Sequence, residues 1–187
     1  MHIDIKIIIL TIVVIFTLLI GTVVFILNGF DTSIPESDIS VSIISSFDDC
    51  VAAGHPVLEI YPRQCSDGSQ TFTEDIGNEL AKIDEIRSSN PRPGQTITSP
   101  LSIEGEARGT WFFEAVFTAT LIDGEGQQIA TIPISTSDDW TTENFIPYSG
   151  EITFEKPKTA KGTLILAKDN PSGLPENSDE LVIPILF

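Results

Sequence analysis

Trp111-Phe112-Phe113-Glu114-Ala115-Val116-Phe117-Thr118-Ala119-Thr120-Leu121-Ile122-Asp123-Gly124 is the stretch that decides the fold. Trp111, Phe113, Ala115, Phe117, Ala119 and Leu121 fall on every second position. Side chains on a strand alternate between faces, so this predicts one long strand with an apolar face. Asp123-Gly124-Glu125-Gly126 then predicts a turn. Leu101, Ile103 and Ala107 form a shorter alternating run before it. Ile129 to Ile134 follows, where Pro133 favours an edge or a bulge. Ile152 with Phe154 marks another run, Leu164 with Leu166 the next, and Leu181, Ile183, Ile185 and Phe187 the last. About seven short strands divided by Gly, Pro, Asn and Asp turns, without amphipathic helices, predict an all-β antiparallel sandwich over 91–187.

That span is close to the roughly 100 residues of an immunoglobulin-like domain. No cysteine lies within it, so packing alone must hold its two sheets together.

Upstream the chemistry changes. Ile7 to Leu27 is a run of 21 residues without a charged side chain. As a helix it would be about 31 Å long, the thickness of a hydrocarbon core. A signal peptide has a shorter apolar core and a small-residue cleavage site, and Ile26-Leu27-Asn28-Gly29-Phe30 offers none. No cysteine ends the run for acylation. The expectation is an uncleaved transmembrane anchor over 7–27 after a tail of residues 1–6. Lys6 precedes the run, whereas Asp31, Glu36 and Asp38 follow it and no Lys or Arg occurs until Arg63. The positive-inside rule then puts the N-terminus in the cytoplasm and the bulk of the chain outside the cell membrane.

The chain carries 27 acidic and 10 basic side chains, a formal net charge of −17. Such a surface repels nucleic acid, which needs clustered Lys and Arg. Residues 28–45 read as a linker, with Asn28-Gly29, Pro35 and scattered Ser and Asp.

Residues 46–78 read as a small module around Cys50 and Cys65, the only two cysteines. On the outer side of a membrane they are expected to form a disulfide. Closing a 15-residue loop is worth roughly 3 kcal/mol in the chain-entropy account. A zinc site is a poorer reading, since two Cys and His55 give three ligands at unsuitable spacings. Ser46 is placed to cap a short helix starting at Phe47, and Gly54 to end it. Asp67-Gly68 looks like a hairpin turn leading to Thr71-Phe72-Thr73. The module resembles a cysteine-containing motif of bacterial surface proteins, a resemblance that implies no activity. Residues 79–90 are expected to be a second linker.

Pro93-Gly94-Gln95 and Ser99-Pro100-Leu101-Ser102-Ile103-Glu104-Gly105-Glu106-Ala107 carry a more specific resemblance. With Trp111-Phe112-Phe113-Glu114-Ala115, Asp139-Trp140, Phe145-Ile146-Pro147, Gly162-Thr163-Leu164 and Asn170-Pro171-Ser172-Gly173-Leu174-Pro175-Glu176, this order of segments resembles the immunoglobulin-like domain of bacterial spore germination. The resemblance covers about residues 82–187. It implies a sandwich at the cell envelope and no catalytic residues. Nothing else in the sequence points to sporulation.

Chemistry has few places to reside. Nucleophilic catalysis needs a histidine beside the nucleophile, and only His55 lies beyond the predicted anchor, between Gly54 and Pro56 in the cysteine loop. No phosphate-binding or dinucleotide fingerprint occurs, and no cofactor is expected. Asp123-Gly124-Glu125, Asp138-Asp139 and Asp169-Asn170 are acidic turns of the kind that supply calcium ligands, but none matches an EF-hand loop, and solvated turns explain them. Trp111, Phe112, Phe113 and Trp140 form the notable cluster. A strand cannot bury Phe112 and Phe113 on one face. Either both faces are covered, or Trp111, Phe112 and Trp140 belong to a candidate binding patch for a glycan or an envelope protein. Two function classes result: a membrane-anchored binding or structural module without catalysis, or a glycan-acting envelope hydrolase using dispersed carboxylates.

Overall fold

The computed structural model describes residues 43–187 continuously, together with Ile9, residues 12–15 and Thr17, which are helical. The chain divides into two compact units, Met1–Ser42 and Ile43–Phe187. Among the described residues no helix is long and apolar enough to cross a membrane. The expected anchor over 7–27 and the linker down to residue 42 lie largely outside them.

Ile43–Phe187 starts with a small layer. Helix α1 spans Phe47–Ala52. Asp49 donates its backbone N–H to Ser46 Oγ at 3.1 Å, the capping bond expected from the sequence. Gly54 ends the turn at φ +81°, a conformation that costs other residues more. Three short strands follow: β1 (Val57–Leu58), β2 (Gln64–Ser66) and β3 (Thr71–Thr73), in the order β1-β2-β3. Cys50 and Cys65 are joined by a disulfide with Cα atoms 6.0 Å apart, and both are fully buried. Phe47 is buried beside them, and Ile44, Val57 and Phe72 pack around that core. The β2–β3 turn is built by Asp67. Its carboxylate accepts from the N–H groups of Gln70 (2.8 Å) and Ser69 (2.7 Å) and from Ser69 Oγ (2.8 Å). These bonds pull its pKa down to about 2.

The rest is a sandwich. Its strands are β4 (Ile86–Asn90), β5 (Leu101–Arg108), β6 (Val116–Asp123), β7 (Gln128–Ser135), β8 (Phe145–Ile152), β9 (Lys161–Ala167) and β10 (Glu180–Leu186). The ladder runs β10-β9-β6-β7-β8-β5-β4. β7 and β8 share only the pair Ser135↔Ser149, so the sheet folds there into two leaves. Inward positions of both leaves form one core. Phe117, Ala119, Leu121, Leu164, Leu166, Leu181, Ile183 and Ile185 come from the first leaf, and Ile86, Ile103, Tyr148 and Ile152 from the second. Pro133 pairs with Thr118 and faces solvent on its other side, as its lost N–H requires.

Two expectations change. The sandwich begins inside the stretch read as the linker 79–90. Ile86–Asn90 pairs with β5 from Ile86↔Ala107 onward, and Glu79–Lys82 is a helical turn, α2. The long strand from Trp111 is also shorter than expected. Gly109–Trp111 is a turn of 3-10 helix. Phe113 and Val116 exchange backbone hydrogen bonds around Glu114 and Ala115, whose φ values are +50° and +63°. The chain reverses there, and β6 starts only at Val116.

The free edge of β10 is covered. Asn78 Nδ2 donates to Glu180 O (2.9 Å), and Val182 N–H donates to Asn78 Oδ1 (2.7 Å). Gly94 N–H donates to Pro184 O, Ile97 N–H to Leu186 O, and Leu186 N–H to Gln95 O. A Cβ at Gly77 would overlap the Val182 carbonyl, so the approach requires glycine. Occupied this way, the edge offers no template for another strand.

Candidate functional site

The aromatic cluster is divided between core and surface. Trp111 and Phe112, two members of the expected patch, are 1% and 4% exposed. The Phe112 ring meets Phe117 edge to face at 5.2 Å between centroids, and Phe117 meets Tyr148 at 5.1 Å. The 3-10 turn breaks the alternation that would have sent Phe112 outward, so both residues are core. Trp111 Nε1 is buried without a hydrogen-bond partner among the described residues. The third patch residue, Trp140, is half-buried on the β7–β8 loop, 6.1 Å from Phe113 between ring centroids. Phe113 is 39% exposed. What reaches solvent is the pair Phe113, beside the left-handed Glu114-Ala115 turn, and Trp140 on the β7–β8 loop.

A cleft of about 600 Å³ opens between the cysteine layer and the outer face of β6, β9 and β10. Its volume falls within the roughly 300–1,000 Å³ usual for ligand sites. Ile122, Ile165, Val182 and Pro184 supply an aliphatic floor. Asp48, Arg63, Glu74 and Asp75 stand on the cysteine-layer side, and Asp123 and Lys161 on the other. Glu74 is paired with Arg63, which holds its carboxyl below the usual range. Lys161 meets Asp48 at 2.6 Å, and that bond raises the lysine's affinity for its proton. Asp75 and Asp123 have no cationic partner among the described residues. Sequence reasoning missed this cleft because its walls come from segments far apart in the chain. Only the acidic turn at Asp123 carried a signal.

The layer is fastened beside the cleft by a buried carboxylate. Glu79 on α2 is 5% exposed and is met by the Arg92 guanidinium and the Tyr61 hydroxyl. Arg92 also donates to Ser88 O at 2.8 Å and to Tyr61 Oη at 3.1 Å.

The remaining candidates stay apart. The Asp123 carboxylate accepts the N–H groups of Glu125 and Gln127, both at 2.9 Å. Asp139 accepts from Thr141 N and Oγ1, which lowers its pKa. These acids build their own turns. Among the described residues no three metal-ligating side chains converge. His55 is half-buried in the cysteine loop.

No curated protein and no solved structure matches the chain. A family model does, over residues 85–173, and its description is the immunoglobulin-like domain of bacterial spore germination. The match opens one residue before β4, takes in the folded sheet to β9, and includes the turn at Phe113–Val116. Over those residues the chain is similar to the immunoglobulin-like domain of bacterial spore germination.

Proposed function

We propose that this is a single-pass membrane protein that holds Ile43–Phe187 outside the cytoplasm as a binding or structural module of a bacterial cell envelope. One observation carries the reading: a disulfide-closed layer is packed into the same compact unit as an immunoglobulin-like sandwich. Buried disulfides belong to oxidising compartments, and the uncharged run Ile7–Leu27 supplies the anchor. The acidic surface suits a soluble display domain and disfavours nucleic acid.

The reading assigns no catalysis. A glycosidase needs one carboxyl whose pKa is raised so that it can donate a proton. Among the described residues the displaced carboxylates, Asp49, Asp67, Glu74 and Asp139, are all displaced downward. Incubated with isolated envelope fractions, Ile43–Phe187 is expected to be retained by a membrane protein or a glycan and to leave the glycan uncut. Steady release of new reducing ends, lost when a carboxylate is replaced, would contradict this and favour the hydrolase.

A further inference from the structure

The cleft beside the cysteine layer continues into a second groove. That groove has a volume of about 450 Å³ and shares Asp48, Asp75 and Lys161 with the first. Its other walls include Ser45, Phe47 and β3, from Thr71 to Thr73. Among the described residues β3 is an edge of the small sheet and pairs with β2 alone. The pattern of that pairing fixes which groups remain free. Glu74 N–H donates to Arg63 O, and Asp67 N–H donates to Gln70 O. These residues are opposite one another in the register that joins Cys65 to Phe72. Antiparallel pairs alternate between bonded and non-bonded, so Phe72 faces β2 with its backbone groups. The N–H and C=O groups of Thr71 and Thr73 therefore face the groove.

We propose that this continuous groove docks an extended basic segment of a partner protein, which adds to the edge of β3 and lies across Ile122, Ile165 and Val182. The inference rests on the binding role proposed above and names the class of partner. Main-chain groups of β3 give an extended peptide its register, and pockets beside it select side chains. The aliphatic floor takes the apolar residues and the stems of lysines, which lie along apolar surface with their heads in water. Charge decides the sign. Four carboxylates line the main cleft against two cations. Asp75 Oδ1 accepts the Gly77 N–H and Asp123 Oδ1 accepts those of Glu125 and Gln127, which leaves the second oxygen of each carboxylate without a partner among the described residues. Ile43–Phe187 as a whole carries all but four of the chain's 27 acids and all but one of its 10 cations. Its field draws a basic segment in and repels an acidic one. The chain's own linker has the wrong sign, since Asp31, Glu36 and Asp38 are unaccompanied by any Lys or Arg. The Lys161–Asp48 pair between the two grooves is exposed on both sides, 67% and 64%, and such a pair opens at little cost.

The test uses the full chain in detergent micelles and a short blocked peptide alternating lysine and valine. Binding is expected to shift the methyl resonances of Ile122, Ile165 and Val182. The double variant Asp75→Asn with Asp123→Asn is expected to weaken binding about tenfold. Removing the same charge from exposed acids elsewhere, Glu151→Gln with Glu176→Gln, should change it less than about twofold. Equal weakening by the two double variants would overturn the proposal, because the peptide would then be reading net charge alone. Methyl shifts confined to other parts of the sandwich would overturn it too, as would peptide-free pairing of two copies of this chain through the groove. Retention of the Asp75→Asn, Asp123→Asn protein by envelope fractions reads the broader binding role separately, so the failure of one is not the failure of the other.

Discussion

Replacing Phe112 with alanine is expected to cost as much stability as replacing Phe117, about 3–5 kcal/mol in either case. The two rings meet edge to face in one core, and both are almost wholly buried. A small domain has about 5–15 kcal/mol in total, so either change consumes a large share of it. Phe117→Asp goes further. It puts a carboxylate with no partner among Phe112, Tyr148 and the facing leaf, and the sandwich is expected not to fold. Phe113→Ala provides the contrast. Its ring is partly in solvent and touches Trp140, so the loss should be about 1 kcal/mol. Urea denaturation of Ile43–Phe187 measures the three alanine variants, and a far-UV circular dichroism spectrum reads whether the Phe117→Asp protein folds. A Phe112→Ala protein as stable as the parent would mean that this ring does not belong to the core.

The second large effect is expected at Arg92. Arg92→Met leaves the buried Glu79 of α2 with only the Tyr61 hydroxyl to meet its charge. Breaking a buried pair from one side costs about 3–5 kcal/mol. The lower end applies here because the Arg92 side chain is 46% exposed. The combined variant Arg92→Met with Glu79→Gln should recover much of the loss, since the stranded charge goes with its partner. Denaturation midpoints of the two single variants and the double variant close the cycle. Strictly additive losses would show that the pair is not coupled and that the cysteine layer is held by other contacts.

Much of this architecture can be read from alternation. The apolar faces at Phe117–Leu121 and Leu181–Ile185 are strand faces in the structure, whereas the seventh strand of the sandwich, β4, lies in the stretch read as a linker. The helix cap at Ser46 and the turn at Asp67-Gly68 are also where their residue types put them. Errors cluster where backbone geometry departs from what composition signals. Two-residue turns with positive φ favour Asn-Gly or Asp-Gly. Glu114-Ala115 makes one without either, so alternation runs straight through it in the sequence and places Phe112 on an outer face. The edge strand β4 escapes notice for a different reason. Only Ile86 and Ser88 point inward from it, and its outward positions, Arg87 and Ser89, look like a linker. The cleft is the least legible feature. It exists because Gly77, Asn78 and Glu79 fasten the cysteine layer to β10 and to Arg92, contacts across long separations that no local pattern encodes.

Topology is the most direct test of the account. Intact cells carrying the protein, treated with an external protease and then with a maleimide under non-reducing conditions, should lose Ile43–Phe187 from the membrane fraction. The released fragments should hold Cys50 and Cys65 linked and unlabelled. Protection of that unit in intact cells, with both cysteines labelled once the membrane is opened, would place it in the cytoplasm and contradict the proposed role.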